Sequence, residues 1–164
     1  MKFIYIISFV SLLFLPGCHS PGDKSSAIND ILKLNDDHRN AHLEGDAELF
    51  VKQIDDSLTI IQDGEIYMSA HQEVYDRFSA YFKTVQYFKW DDLVPPEIVL
   101  SDDGSLATLT TKKIVIIQYL SDNNNSQIDT SQWAWLASYA LKNNQWKMTA
   151  ISSGVKPESP KISN

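Results

Sequence analysis

One cysteine, Cys18, stands in 164 residues. That excludes an internal disulfide and any zinc module built on several cysteines. Basic residues are also scarce, 14 against 21 acidic, for a net charge of −7. A protein that holds nucleic acid by neutralising phosphates needs the opposite balance. No Ser-His-Asp arrangement stands out, no glycine-rich phosphate loop is present and no internal repeat is visible. No apolar run reaches the roughly 20 residues that span a bilayer. What is present in quantity is apolar and aromatic: 43% of residues are hydrophobic and 11% aromatic, enough for a core and too many for a disordered chain.

The apolar residues are unevenly placed. Met1 and Lys2 precede a run of 13 apolar or small residues, 3–15, closed by Pro16, Gly17 and Cys18. A positive start, a short apolar stretch and a small-residue site describe a secretory signal peptide. Leu15, Pro16, Gly17 and Cys18 together resemble the lipobox of bacterial lipoproteins, with Pro16 departing from the small or aliphatic residue usual at that place. The resemblance implies cleavage before Cys18, lipid on its sulfur and amino group, and attachment to the cell envelope. Each buried methylene adds about 0.8 kcal/mol to such an anchor. His19 replaces the aspartate that retains lipoproteins in the inner membrane of some bacteria, which points to the outer membrane. An ordinary signal peptide with a chance cysteine is the competing reading. Without Lys2 the mature chain carries 13 basic and 21 acidic residues.

Four regions follow from composition: a signal over 1–17, a lipidated tether over 18–26, a folded domain over 27–155 and a polar, proline-broken tail over 156–164. Ser25 and Ser26 can cap a helix from Ala27, in which Ile28, Ile31, Leu32, Asn35, His38, Ala41 and His42 share a stripe. Gly45 stops it, and Asp46 caps a second helix over 47–53. A strand over 57–62 turns at Asp63-Gly64 into a second over 65–68, the signature of a hairpin. Ser69 and Gln72 have the spacing of a capping box for a third helix whose face is Val74, Phe78, Tyr81 and Phe82. Strand runs over 86–93, 97–101, 105–120, 130–141 and 145–154 complete the chain. Helices first and strands after argue for an α+β domain.

The helix-ending phrase Ala41 to Asp46, the Asp63-Gly64 hairpin, the Asp103-Gly104 turn leading a long strand and Trp146-Lys147-Met148 opening the last strand resemble the nuclear transport factor 2-like superfamily. Its polyketide-cyclase-like and ketosteroid-isomerase-like domains are the nearest group. The resemblance implies three helices packed in a strongly curved antiparallel sheet, a cone-shaped α+β barrel with a pocket at its wide end. It also implies that homodimers form through the outer sheet face. In ketosteroid isomerases a tyrosine eight residues before the Gly-Asp aspartate binds the oxyanion, and a carboxylate sixteen residues after it is the base. Here those positions are His38 and Gln62, with Asp63 beside the latter. Glutamine cannot take and return a proton near neutral pH, and strand alternation turns Asp63 away from the side that Gln62 faces. The isomerase pair is therefore not reproduced as it stands, though an insertion of one residue would make Asp63 the base and keeps it as a second candidate catalytic residue.

His38 is the candidate pocket acid, base or hydrogen-bond group, since imidazole titrates near 6.5. Gln62, Tyr67 and Trp90 are its candidate neighbours. Trp133 and Trp135 share one strand face and fill the core, wall the pocket or form a dimer contact. His38 and His42 at helical spacing, with His71, could hold zinc, but the full zincin motif is absent, so neither a metal nor another cofactor is expected. The expected function is an envelope lipoprotein whose cone binds a small apolar ligand or a protein partner without catalysis. The alternative is a small isomerase, cyclase or dehydratase using His38.

Overall fold

The computed structural model describes residues 24–120 and 127–157. Cys18 and the expected signal sequence, most of the expected tether, the polar segment 121–126 and residues 158–164 lie outside them.

Helix α1 (Lys24–Glu44) begins ahead of the expected start at Ala27, so Ser25 and Ser26 lie within its first turn and belong to the helix, not the tether. It buries Ile31, Asn35, His38, Ala41 and His42, the deeper part of the predicted stripe. Gly45 ends it at φ +68°, the left-handed conformation that costs a side-chain-bearing residue about 1 kcal/mol or more. Asp46 N–H donates back to Ala41 O at 2.8 Å, closing the last turn. The Asp46 carboxylate then accepts from Leu49 N–H at 2.9 Å and caps α2 (Ala47–Lys52). One glycine and one aspartate thus turn the chain from α1 into α2.

Strand β1 (Ile54–Gln62) and β2 (Glu65–Ala70) form the expected hairpin, with Asp63 at φ 55° and Gly64 at φ 83°. Two successive positive φ values match the twist of the paired strands. Helix α3 (His71–Tyr81) is capped one residue later than expected. Pairing with β1 runs to Ser57–Ala70 and keeps Ser69 in the ladder, buried. Glu73, not Gln72, reaches back to accept from Ala70 N–H at 2.9 Å.

The remaining strands are β3 (Val85–Asp92), β4 (Glu97–Leu100), β5 (Leu106–Tyr119), β6 (Ile128–Lys142) and β7 (Gln145–Val155). They form one sheet in the order β2-β1-β7-β6-β5-β3, with β4 also on β5. The expectation of a wholly antiparallel sheet needs one correction: β1 and β7 are parallel, pairing Ile60 with Ile151. The alternation within a strand reports which face is buried and carries nothing about the direction of a distant neighbour. Register irregularities between Ile54 and Thr59, Tyr87 and Lys89, and Ser138 and Tyr139 bend the sheet. Its inner face on β5 carries Leu109, Thr111, Lys113, Val115 and Ile117, all buried, and on β6 Trp135, Ala137 and Tyr139. The helices pack against that face, and the core lies between.

Candidate functional site

Between α1, α3 and the inner sheet face lies a cavity of about 450 Å³. Its depth is built from rings. His38 and His42, four apart on α1, stack with centroids 4.7 Å apart and planes 8° apart. His42 lies against Trp90 of β3 at 3.8 Å and 13°. Trp135 of β6 covers His38 at 5.8 Å. Phe50, Phe82 and Tyr87 present their edges to His42 at 5.2–5.4 Å. Offset and edge-on contacts of this kind add about 0.5–1.5 kcal/mol each beyond area burial. Leu58, Ile60, Val115, Ile117 and Met148 supply the aliphatic wall.

The two imidazoles are neutral. His42 Nδ1 is 2.8 Å from His38 O, and a carbonyl can only accept, so Nδ1 carries the proton and Nε2 is bare. Burial pushes the His42 pKa down to about 4, against the opposing pull of that bond. Burial also takes His38 well below its usual value, aided by His42 and the nearby Lys113 charge. The His38 ring has no hydrogen-bond partner among the described residues.

Behind the rings, pointing inward from β5, lies Lys113, whose side chain has no exposed surface. Its Nζ stands 2.6 Å from Asp92 Oδ1, but the approach is outside hydrogen-bond geometry, so the contact is an ion pair with no hydrogen bond to Nζ. Asp92 is better served: Thr111 Oγ1 donates to it at 2.6 Å and Asn35 Nδ2 at 3.2 Å. Burial lowers the Lys113 pKa and Asp92 raises it, the first effect being the larger. The Trp90 indole N–H is likewise buried without an acceptor.

The mouth is the polar part. Gln62 at the end of β1, Tyr67 on β2, Arg77 on α3, and Asp129 and Ser131 on β6 line it, with the half-exposed Tyr81 and Tyr119. Tyr87 donates to Tyr81 Oη at 3.2 Å, and burial drives its phenol pKa upward, so it stays protonated.

Of the residues singled out in the sequence, His38, Gln62, Tyr67, Trp90, Trp133 and Trp135 all line this one cavity. Asp63 does not, being an exposed turn residue. His71 points its Nε2 at Val51 O, 3.0 Å away, and joins neither His38 nor His42. Among the described residues no group of three His, Cys, Asp or Glu side chains could hold a metal. Lys113, Asp92, Arg77 and Asp129 were missed. Lys113 was findable, because it falls in the inward row of a strict two-residue alternation with Leu109, Thr111, Val115 and Ile117.

No protein-family model matches the chain, and no curated protein is significantly similar to it. Solved structures do match. An NTF2-like protein with a cystatin-like fold from Novosphingobium aromaticivorans superposes with a TM-score of 0.62 at 12% identity, over 84% of this chain and 86% of that one. A nuclear transport factor 2-like superfamily protein from Salmonella enterica serovar Typhimurium gives 0.62 at 14%, over 87% and 100%. A ketosteroid isomerase-like protein from Erwinia carotovora atroseptica gives 0.59 at 12%, over 83% and 94%. The chain has the nuclear transport factor 2-like fold. At these identities the likeness is one of fold, and within a nuclear transport factor 2-like fold the function has to be argued from the cavity itself.

Proposed function

We propose that the cavity is a binding chamber for a small apolar, ring-bearing ligand, and that the protein works by holding it rather than by transforming it. The observation that carries this is the depth of the cavity, walled by rings and aliphatic side chains around two neutral imidazoles. Such a lining favours burial of apolar surface at about 25 cal/mol per Å² and offers few polar groups to fix orientation. The unbonded His38 ring is the group that would meet a carbonyl or hydroxyl on the ligand. Proton transfer is the weaker reading. A histidine held well below 6.5 is a poor base at neutral pH, and the one carboxylate lining the cavity among the described residues, Asp129, is at the mouth.

The test is a titration with the neutral fluorescent probe N-phenyl-1-naphthylamine. Binding should raise its emission, and Ile60→Trp, which fills the chamber, should abolish the rise while the protein stays folded by circular dichroism. An unchanged response in the filled variant would sink the proposal. We further propose that Cys18 is lipidated and holds the chamber at the cell envelope. The full chain should then fractionate with membranes and Cys18→Ser should release it; equal membrane association of both would overturn this.

A further inference from the structure

We propose that the ligand is an amphiphilic acid, a ring-bearing body ending in a carboxylate that Arg77 holds at the mouth; this rests on the chamber reading above. A ligand with a charged end has few places to put it. The depth cannot take an ion, since His38 and His42 are neutral and ringed by apolar groups. Moving a bare carboxylate there would cost several kcal/mol. Lys113 is not available either, being sealed from the surface and already paired with Asp92. That leaves the mouth.

Among the described residues, Arg77 is the one cation lining the cavity. It pairs with no carboxylate among the described residues. Its guanidinium is nonetheless held in place. The carbon Cζ lies 6.0 Å from the Tyr67 ring centroid and 5.6 Å from that of Phe78, and Nη1 donates to Tyr67 Oη at 3.4 Å. Resting on two rings leaves most of the planar fork of N–H donors free, the geometry that matches a carboxylate. Tyr67 Oη accepts that bond, and its own hydrogen is available to the same anion. Asp129 also lines the mouth, from β6, and works against an anion on its side. The acid is therefore directed to the α3 and β2 side, with its ring system pointing inward toward Trp90 and Trp135.

The experiment compares 2-naphthylacetate with its methyl ester by isothermal titration calorimetry at neutral pH, on the full chain. The two share the apolar body and differ in charge. The acid should bind about tenfold tighter, and the preference should shrink with added salt because the mouth is exposed. Arg77→Gln should remove the preference with ester binding unchanged within about twofold, Arg77→Lys should keep part of it, and Asp129→Asn should strengthen acid binding. Equal binding of acid and ester to the natural protein, or equal loss of both in Arg77→Gln, would overturn the inference while leaving the chamber standing. If neither compound binds, the chamber reading falls and the inference with it.

Discussion

Lys113 places an ammonium with no exposed surface behind the cavity, paired with Asp92 and lacking any hydrogen bond of its own. Buried pairs of this kind contribute little net stability, yet removing one partner leaves a charge with no solvent and no counter-ion. The two halves are not equivalent. Asp92 retains Thr111 and Asn35 as donors and its side chain keeps 26% of its surface exposed, so it survives the loss of Lys113. Lys113 has nothing else. Asp92→Ala should therefore cost about 3–5 kcal/mol, Lys113→Met less than about 1, and the double substitution should recover most of the first loss. Denaturant midpoints of the three variants check this; equal costs for the two single changes would contradict it. At this scale the sequence was partly legible. Alternation marks Lys113 as inward, but nothing local names Asp92, more than twenty residues earlier in the chain, as its counter-ion.

The elements were read more fully than the residues between them. Apolar spacing located all three helices and every strand among the described residues, because burial of one face is imposed residue by residue. Gly45 and Asp46 marked the break between α1 and α2 for a stereochemical reason that no tertiary context alters. Gly45→Ala tests this, since a Cβ there would lie 3.7 Å from Phe82 Cβ, an ordinary contact, leaving the positive φ as the source of cost. A loss of about 1 kcal/mol is expected by chemical denaturation, and no change would mean that the turn relaxes. The misplaced cap of α3 has the opposite lesson. Ser69 has capping chemistry, but β2 pairing claims it before the helix can. The parallel β1–β7 pair was invisible for a related reason, as it joins segments about ninety residues apart.

The whole molecule answers to pH through its buried imidazoles. His42 titrates at about 4 in the folded state and near 6.5 when unfolded. Between those values the unfolded chain binds a proton that the folded chain does not, so stability is full above about pH 6.5 and falls as pH drops toward 4. His42 alone should remove about 3 kcal/mol across that window, with His38 adding to the loss in the same direction. Denaturant unfolding at pH 7 and pH 4.5 measures the slope, and His42→Gln should flatten it; a slope unchanged in that variant would place the titration elsewhere. The amino-acid sequence by itself determined the α+β class, the order of the elements and the candidate ring residues, because periodicity, capping and turn chemistry are local. Only the tertiary structure decided that His38, Gln62, Tyr67, Trp90, Trp133 and Trp135 face one cavity, that Asp63 does not, and that its depth is uncharged. Those outcomes depend on strand neighbours, bulges and solvent exclusion, which arise when distant segments meet and close water out.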